Sequence, residues 1–439
     1  MNTRKRRMLI LSLDAVGSRD IERARNLPGF SRFFEGASRC MSVNSVYPSI
    51  TYPAHTTIVT GRTPCHHGVI DNTKIQPGRK SPDWYWQRKY IRGTTLYDEA
   101  MAQGMTTAAL LWPVTARSKI TYNVPEIFAN RPWTNQILTS LWNGTPMYQF
   151  RLNQRFRHLR DGIRQPELDN FTQASLIDTL KKYQPDLTLV HFTDVDTQKH
   201  DYGNTSEESW AAMVRHSRRL EEIQDTLEAL GLAEDTIFVL LGDHSQQDVK
   251  QIICLNELFF EKGWMTVKCG KIKQWQVYAK SCDGSAYIYV KEQRLKRPLY
   301  ALLKKLREEK RWGIKALYTG KHAAKMGADA ACAFMLEAED GFFFRDDVAQ
   351  AAGTGGGQIF DGPVYVRPTR PGEHKGCHGY RPEKSGYQTF FAMKGPGVRK
   401  NQVISQMTLA DEGPTLAALL GLDLGETDGK VIDAFLEKE

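Results

Sequence analysis

One stretch joins a buried strand to reactive side chains: Thr236–His244, which reads TIFVLLGDH. Six consecutive β-branched or apolar residues, ended by Gly242, are typical of a strand that is covered on both faces. The polar pair Asp243 and His244 follows directly at the carboxyl end of this strand. Similar short runs recur along the chain and alternate with helical patterns. The sequence therefore predicts an α/β fold, with a mostly parallel central sheet and helices on both of its faces.

The predicted elements alternate over most of the chain. The predicted strands are Met8–Leu13, Thr106–Trp112, Leu187–Phe192, Thr236–Leu241 and Thr389–Met393. The predicted helices are Pro53–Thr60, Thr95–Ala102, Gln173–Lys182, Glu207–Leu232 and Leu409–Leu420. In such sheets ligands bind beyond the carboxyl ends of the strands, so the loops there are the first places to look for a site.

Two segments interrupt the alternation. Residues 115–170 are rich in Arg, Asn, Trp and Pro and predict an irregular helical insertion. Residues 255–370 predict a smaller α+β unit. We therefore expect a catalytic domain over 1–254 and 371–439 that carries an inserted cap over 255–370. The elements predicted for the cap are a strand at Ala286–Val290, a helix at Pro298–Lys310, a strand at Ile314–Leu317, a hairpin at Ala331–Phe344 and a mobile glycine-rich loop at Gly353–Gly357.

Composition excludes several classes of protein. The chain has 439 residues, of which 41% are hydrophobic and 25% charged, so collagen-like, low-complexity and wholly disordered readings are excluded. No run of 18 apolar residues occurs, so we expect neither a transmembrane helix nor a membrane partner. The net charge of +9 fits an anionic substrate but does not by itself indicate nucleic-acid binding. Nothing in the sequence fixes the oligomeric state.

The N-terminus and the cysteines bear on location. The basic run Arg4–Arg7 precedes an apolar run of six residues, Met8–Leu13, which is shorter than the apolar core of about 7–15 residues in a secretory signal. The seven cysteines are scattered, odd in number and without a CxxC pair, which favours reduced thiols. We therefore expect a cytoplasmic protein.

Potential metal ligands follow the predicted strands. Six such residues fall at or near strand ends: Asp14, Asp196, His200, Asp243, His244 and His378. Each has an ordinary reading when taken alone, as a helix cap, a surface ion pair or a turn residue. Together, carboxylates mixed with imidazoles suit Zn²⁺ or Mn²⁺ better than Ca²⁺. Six ligands are enough for the two ions that assist an in-line phosphoryl displacement.

The candidate nucleophile lies in Pro48–His55, which reads PSITYPAH. Pro53 is tolerated in a first helical turn, so Thr51 is predicted at or just before a helix N-terminus. Backbone N–H groups and the helix dipole favour a phosphate at that position. A hydroxyl is a weak nucleophile at neutral pH unless a divalent metal ion activates it.

At this point the chain resembles the nucleotide pyrophosphatase/phosphodiesterase branch of the alkaline phosphatase superfamily. The resemblance spans nearly the whole chain and is weakest in the two interrupting segments. Its motifs, in order, are Pro48–Gly61 continued by Pro64, His67, Gly68, Ile70, Asp71 and Asn72, then Asp196-x-x-x-His200, Gly242–His244, His378–Tyr380 and Pro414–Gly421.

The resemblance implies roles for individual residues. One metal ion would be held by Asp196, His200 and His378, and the second by Asp14, Asp243, His244 and the Thr51 oxygen. The Asn72 amide, with the Thr51 backbone N–H, would bind a phosphoryl oxygen. Tyr52 matches an aromatic position that packs on the leaving or retained group of the substrate.

The implied function is hydrolysis of a phosphodiester or phosphoanhydride bond in a small phosphate ester or nucleotide. It would proceed by double in-line displacement through a phospho-threonine, with two divalent ions, Zn²⁺ in preference to Mn²⁺. The alternative is a phosphomonoesterase or phosphonate hydrolase of the same superfamily. A monoesterase needs a further cation near the metals, for which Arg62, Lys74 and Arg381 are candidates. A phosphate-shifting mutase would need a different nucleophile and second domain, and an anion-binding module without activity would lack a ligand.

Three smaller questions stay open in the sequence. Trp84–Trp86 either lines a substrate pocket or covers the edge of the core. His66 and His67 are extra metal ligands or, by preference, histidines with structural hydrogen bonds. Cys377 is a thiolate ligand or, by preference, a small buried residue.

Overall fold

A computed structural model describes residues 6–79, 81–348 and 365–437 of the chain. The predicted loop Gly353–Gly357 lies outside these residues. The helices are α1 (Ser18–Ala24), α2 (Pro28–Phe34), α3 (Thr51–Thr60), α4 (Pro64–His67), α5 (Leu96–Ala102), α6 (Gln136–Asn143), α7 (Pro146–Phe156), α8 (Glu167–Tyr183), α9 (Asp194–Tyr202), α10 (Glu207–Ala229), α11 (Leu255–Glu261), α12 (Lys296–Glu308), α13 (Gly320–Lys325) and α14 (Glu412–Leu420).

The strands belong to one large sheet and four smaller ones. They are β1 (Arg7–Leu13), β2 (Ser38–Asn44), β3 (Thr107–Leu110), β4 (Tyr122–Val124), β5 (Leu187–Phe192), β6 (Thr236–Leu241), β7 (Gln247–Asp248), β8 (Gln251–Ile253), β9 (Met265–Lys268), β10 (Lys271–Trp275), β11 (Val277–Cys282), β12 (Ser285–Val290), β13 (Ile314–Thr319), β14 (Phe334–Ala338), β15 (Phe342–Phe344), β16 (Val366–Pro368), β17 (Gly376–Cys377), β18 (Thr389–Lys394), β19 (Val403–Ile404) and β20 (Met407–Thr408).

The central sheet has the order β19-β2-β18-β6-β1-β5-β3-β4, with β20 also paired to β2. Its neighbouring strands run parallel except at β18, which is antiparallel to both β6 and β2. The predicted mostly parallel α/β sheet is therefore confirmed. The prediction missed β2, because its sequence SRCMSVN lacks the apolar run that marks the other inner strands.

Alternate residues of each inner strand serve two different hydrophobic cores. In β1, Met8 and Ile10 pack with α3, α5 and α14, whereas Leu9, Leu11 and Leu13 pack with α1, α2, α8 and α10. Because successive side chains of a strand point to opposite faces, a continuous apolar run needs a cover on both sides. The helices supply that cover and fix which ends of the strands stay open for a site.

A second, antiparallel sheet forms in the segment predicted as a cap, in the order β11-β12-β14-β13. The predicted amphipathic helix is α12, and its Leu299, Leu303 and Leu306 are buried against this sheet. The predicted hairpin Ala331–Phe344 is wrong. β14 pairs with β12 and β13, whereas β15, which follows the turn at Gly341, pairs with β8. The other edge of β8 pairs with β16. The division of the chain into domains stays a prediction.

The interrupting segment 115–170 contains α6, α7 and the start of α8, joined by turns and loops, and it also contributes β4 to the edge of the central sheet. Within the described ranges, no helix combines the length and apolar character needed to cross a bilayer.

Candidate active site at the carboxyl edge of the central sheet

Parallel pairing brings the predicted ligands to one edge of the sheet. Asp14 follows β1, Asp243 and His244 follow β6, and Asp196 lies in the first turn of α9, just after β5. Since β18 is antiparallel, its first residue lies at this same edge, and the loop before it carries His378. The predicted ligands from four separate parts of the sequence thus converge, in two groups.

The first group, here called the sheet cluster, is Asp14, Asp243 and His244. The His244 Nε2 lies 3.2 Å from Asp243 Oδ2 and 3.5 Å from Asp14 Oδ1, and all three residues are buried. The other oxygen of Asp243 accepts the backbone N–H groups of Ala15 and His244. The carboxylate is therefore held by the backbone of both strand ends, with one oxygen left for a ligand.

The second group, here called the helix–loop cluster, is Asp196, His200 and His378. On α9, His200 Nε2 lies 3.3 Å from Asp196 Oδ1, as the i,i+4 spacing predicts, and His378 Nε2 lies 4.0 Å from the same oxygen. The Nδ1 of His200 faces the carbonyl oxygen of Gly376 at 2.8 Å. The rings of His244 and His378 are 4.4 Å apart between centroids, so the two clusters adjoin.

The residues present fit divalent cations. Asp14 Oδ1 and Asp243 Oδ2 are buried and accept no hydrogen bond from any described residue, although each lies close to the His244 Nε2. Unpaired buried carboxylate oxygens are costly, and a coordinated cation removes that cost. Two carboxylates with one imidazole, and one carboxylate with two imidazoles, are oxygen and nitrogen donor sets that suit Zn²⁺.

The electrostatics of the sheet cluster lead to the same conclusion. Burial, reinforced by the charge of Asp196, raises the pKa of Asp14 to about 7. Burial and the neighbouring Asp14 raise the pKa of Asp243 well above its usual range. Burial and the adjacent His378 lower the pKa of His244. The sheet cluster therefore has no positive charge of its own to balance its two carboxyl groups, and a bound cation would supply that charge.

Thr51 is the first residue of α3, and its Oγ1 lies 3.2 Å from His244 Nε2. Ile50 has extended backbone dihedrals, which ends the preceding loop and starts the helix at Thr51. The backbone N–H of Thr51 is among the first-turn amides that the helix itself does not use. The hydroxyl and a helix N-terminus thus meet beside the sheet cluster, as predicted.

Asn72 and Tyr52 both lie beside the candidate nucleophile, but Tyr52 does not line the cavity. Asn72 Oδ1 accepts the backbone N–H of Tyr52 at 2.8 Å, which fixes the amide beside the nucleophile with Nδ2 left to donate. Tyr52 is fully buried and donates its hydroxyl to Glu126 Oε1 at 3.1 Å. Its ring packs edge-on against Trp84, which itself lines the cavity. Trp84 thus lines the cavity and Tyr52 does not, and the substrate contact that the resemblance implies for Tyr52 stays a prediction.

A cavity of about 770 Å³ opens above these residues. Its lining includes Asp14, Thr51, Asn72, Asp196, His200 and His378, so the candidate nucleophile and members of both clusters face one space, whereas Asp243 and His244 are fully buried and do not line it. Apolar and aromatic side chains form much of the remaining wall, from the loop before α3, the loop that carries Trp84, the 115–170 segment, α8 and β15. These include Ile50, Trp84, Ile127, Phe128, Phe171 and Phe344.

The cations proposed from the sequence do not line this cavity. Arg62 pairs with Glu426, Lys74 lies over the ring of Tyr90, and Arg381 contacts Glu383 and Tyr318. Four other cations line it instead: Arg157, Arg160, Lys280 and Arg345. Lys280 is paired with Asp71 at 2.9 Å and Asp346 at 3.1 Å, and Arg345 with Asp347 and Glu373.

The open questions on neighbouring residues are answered by position. Trp84 lines the cavity, whereas Trp86 is buried in the core. His66 pairs with Asp428 and His67 lies 3.1 Å from the Thr57 hydroxyl, so both have structural partners outside the clusters. Cys377 is buried with a raised thiol pKa caused by burial, and its Sγ lies 3.7 Å from His374 Nδ1. Cys377, His374 and His200 form a third potential ligand group that shares His200 with the helix–loop cluster.

Sequence reasoning missed three residues that hold the ligands in place. His191, inside β5, lies 3.1 Å from both Asp14 Oδ2 and Glu126 Oε2. Burial opposes its protonation, but these two carboxylates outweigh burial and raise the pKa of His191. Gln246 donates to Asp196 Oδ1 at 2.5 Å. Lys199 is buried and donates to Ala15 O at 2.8 Å and Asp20 Oδ2 at 2.6 Å, which ties α9 to the loop after β1.

Comparisons with known proteins identify a family that the chain matches. A family described as "Type I phosphodiesterase / nucleotide pyrophosphatase" matches residues 8–381. Human ectonucleotide pyrophosphatase/phosphodiesterase family member 1 is 24% identical over 246 residues, 53% of this chain and 22% of that protein. Venom phosphodiesterase 2 of Crotalus adamanteus is 23% identical over 254 residues, 55% of this chain and 27% of that protein. The matches thus span less than a third of either relative.

Solved structures share the fold. Human ectonucleotide pyrophosphatase / phosphodiesterase 5 superposes with a TM-score of 0.69 at 17% identity, covering 98% of this chain and all of that one. An inactive variant of the murine protein in complex with AMP gives a TM-score of 0.68 at 16% identity, with the same coverage. The alkaline-phosphatase-like architecture expected from the sequence is confirmed.

Proposed function

The chain belongs to the type I phosphodiesterase / nucleotide pyrophosphatase family, and we propose that it hydrolyses phosphodiester or phosphoanhydride bonds with Thr51 as the nucleophile. One observation carries this proposal: the Thr51 hydroxyl lies at a helix N-terminus, beside two adjoining ligand clusters, and faces one large cavity. Nucleophile, phosphate-binding amides and charge-neutralising sites are the parts that phosphoryl transfer requires.

Thr51 Oγ1 forms the bond to phosphorus while the bond to the leaving oxygen breaks. Water then cleaves the phospho-threonine and restores the hydroxyl. The two divalent ions, for which we propose Zn²⁺, supply charge neutralisation for the nucleophile, the leaving oxygen and the phosphoryl group when bound. Asp14, Asp243 and His244 would hold one ion and Asp196, His200 and His378 the other. Two zinc ions per chain are expected by elemental analysis of protein dialysed against zinc.

The phosphoryl oxygens need donors that are already in place. The backbone N–H of Thr51 and Nδ2 of Asn72 supply them, because Asn72 Oδ1 is committed to the Tyr52 amide. This bond turns the Asn72 side chain so that its N–H₂ group is the end left to donate. Donors fixed before the reaction stabilise the developing negative charge without reorganising.

The cavity favours a substrate with a large organic group on phosphorus. Its volume of about 770 Å³ far exceeds a bare phosphate, and Trp84 and Phe128 offer aromatic faces in its wall. A nucleobase stacks on such rings. The complex of the murine relative with AMP supports a nucleoside monophosphate group as the first ligand to test.

The monoesterase or phosphonate alternative needs a cation that meets the extra phosphoryl charge. Lys280 and Arg345 line the cavity but already have two carboxylate partners each. Their charge is therefore largely offset before a substrate binds, which favours the diester reading. Arg157 and Arg160 also line the cavity, and the comparison of diester with monoester substrates tests whether either cation contacts a phosphoryl group at Thr51.

The test compares kcat/KM of the zinc-loaded protein for bis-p-nitrophenyl phosphate and p-nitrophenyl phosphate. We expect a diester preference of at least tenfold, about 1.4 kcal/mol of differential transition-state binding. Thr51→Ala should abolish turnover and Thr51→Ser should retain part of it. A monoester preference that still depends on Thr51 would favour the alternative, and turnover that survives in Thr51→Ala would refute the nucleophile assignment.

We also propose a cytoplasmic location. The seven cysteines are all free thiols, five of them buried, which is the state expected in a reducing compartment. Fractionation of cells that produce the chain would test this, and recovery outside the cytoplasm would contradict it.

A further inference from the structure

The polar face of helix α6 packs toward the rest of the protein. The Gln136 side chain accepts the Ala129 N–H at 2.7 Å and donates to Ile127 O at 3.0 Å. Ser140 donates to Gln149 Oε1 at 2.6 Å, and Asn143 is the one residue of α6 that is buried. These bonds join one face of the helix to the rest of the 115–170 segment.

The opposite face of α6 is apolar and exposed. Leu138 and Trp142, four residues apart and hence on one side of the helix, are 67% and 77% exposed. Ile137 beside them is 59% exposed. An amphipathic helix of a globular protein normally buries its apolar stripe and exposes its polar one. This helix does the reverse, so its apolar stripe is left without a cover among the described residues.

The exposure continues through the neighbouring residues. Ten large hydrophobic side chains are exposed in the described part of the chain, and seven of them lie between residues 133 and 163: Trp133, Ile137, Leu138, Trp142, Met147, Phe150 and Ile163. Single exposed hydrophobic residues are ordinary, but such a concentration marks an interaction surface. We call these seven residues the apolar surface.

The charges around the apolar surface select its partner. Residues 131–164 contain six arginines and a single acidic residue, Asp161. Four of these arginines are paired with the carboxylates of Asp83, Asp178 and Asp161, which leaves two without such a partner in the part of the chain that the structure describes. Arg157 and Arg160 have no carboxylate partner among the described residues, and Arg160 lies over the ring of Phe171. A twofold contact between two copies of the chain would bring two basic surfaces together. Nucleic-acid surfaces use aromatic rings and cations, but Leu138, Met147 and Ile163 offer no face on which a base stacks.

We propose that the apolar surface docks the protein onto an anionic lipid bilayer, lying on it and not crossing it. Tryptophan and aliphatic side chains enter the boundary between headgroups and acyl chains, while arginines meet the lipid phosphates. Arg157, Arg160 and Ile163 also line the cavity, so the docked face adjoins the entrance to the active site. The expectation of no membrane partner rested on the lack of a long apolar run, which concerns spanning and not surface binding.

The test is co-sedimentation of the metal-loaded full chain with phosphatidylcholine vesicles, with or without phosphatidylglycerol as about a third of the lipid. We expect binding to the anionic vesicles, at least about tenfold weaker to the neutral ones and weakened by salt. The double variant Leu138→Ser/Trp142→Ser should lose at least about tenfold in affinity. Val403→Ser, at a 61% exposed apolar residue far along the chain, is the matched control and should bind like the wild type.

Neither Leu138 nor Trp142 lines the cavity, so turnover of bis-p-nitrophenyl phosphate and the melting temperature should not change in the double variant. Equal vesicle binding by the wild type and the double variant would overturn the proposal, as would no binding by the wild type. A dimer that the double variant abolishes would assign the surface to a second copy of the chain. Binding of polyuridylate that the same variant abolishes would assign it to nucleic acid.

Discussion

The sheet cluster and the helix–loop cluster use similar residues but are held in place by different forces. Asp14, Asp243 and His244 stand directly on the ends of two hydrogen-bonded parallel strands and are buried. Asp196 and His200 lie on α9 with side chains 17% and 14% exposed, and His378 comes from a distant loop. Strand register, supported by the contact of His191 with Asp14, positions the first cluster, whereas the second depends on the packing of a helix against a loop and the second sheet, through Gln246 and Asp283.

The difference extends to charge. In the sheet cluster, burial and mutual repulsion raise the carboxyl pKa values of Asp14 and Asp243. In the helix–loop cluster, burial opposes ionisation of Asp196, yet His200 and His378 outweigh it and lower the pKa of that carboxyl. The second cluster is thus partly neutralised by its own histidines. The first carries the larger electrostatic cost and should gain more from a bound cation.

The largest expected effect comes from removing one carboxylate from each cluster. Asp243→Asn puts an N–H donor or a neutral oxygen where an anionic ligand is needed, at a fully buried position. We expect turnover to fall by about 10³-fold or more, and Asp196→Asn to cost about tenfold less because its cluster keeps two imidazoles and some solvent. Metal content after dialysis should drop by one ion per chain in each variant. Equal loss of both ions in Asp196→Asn would mean that the clusters are not separable.

His191 sharpens the comparison, because it supports only the sheet cluster. Its Nε2 holds Asp14 Oδ2, leaving Oδ1 free for a ligand. His191→Asn should lower metal affinity or activity by about 10–100-fold, the usual cost of losing a residue that orients a ligand. Titration with zinc should show weakening of one ion only. His322→Asn, at an exposed histidine of α13, is the control; an unchanged zinc affinity in His191→Asn would remove its positioning role.

His191 also shows where sequence reasoning ends. The strands β1, β5 and β6 were predictable because a doubly covered strand must be continuously apolar, and the ligands after them followed from parallel pairing. His191 was recognisable only as the single ionisable residue in LTLVHF. Its partners lie 177 and 65 residues away, and only the fold brings them within reach.

Orientation was the other property that the sequence could not supply. The aromatic character of Tyr52 was evident, but not that its side chain would be fully buried against Trp84 with its hydroxyl bonded to Glu126. The amphipathic pattern of α6 was present in QILTSLWN, yet which side faces the protein depends on hydrogen-bond partners in the surrounding segment, namely the Ile127 carbonyl, the Ala129 N–H and the Gln149 side chain. Local sequence sets the periodicity of a helix, and tertiary partners set its rotation.

Lys199 links the two clusters, and its removal should reduce stability more than chemistry. Lys199→Met keeps the buried methylene stem but deletes the bonds to Ala15 O and Asp20. We expect a loss of about 2 kcal/mol in the free energy of unfolding, measured with urea, because a buried carbonyl and a carboxylate lose their partner. Lys304→Met, at an exposed lysine of α12, should change it by less than about 0.5 kcal/mol. Equal effects of the two substitutions would show that the hydrogen bonds of Lys199 do not contribute to the free energy of unfolding.

The smallest expected effect, counted per pH unit, is a pH dependence of stability that separates the clusters in metal-depleted protein. The raised pKa of Asp14, about 7, means that the folded state holds a proton that the unfolded chain releases above pH 4, so stability falls as the pH rises toward 7. Burial opposes protonation of His200, but the charge of Asp196 outweighs burial and raises the pKa of His200 to about 9. The stability that protonated His200 contributes is therefore present below pH 6.5 and is lost as the pH rises through 9.

Each group changes the unfolding free energy by at most about 1.4 kcal/mol per pH unit within its own window. Urea unfolding between pH 5 and 9 should therefore show two successive declines. Asp14→Asn should flatten the first and His200→Gln the second, while zinc should reduce both because bound cations keep the carboxylate ionised and the imidazole neutral. If either substitution flattened both declines, the two clusters would titrate as one unit. The sheet cluster, positioned by strands, and the helix–loop cluster, positioned by packing, would then not be distinct sites.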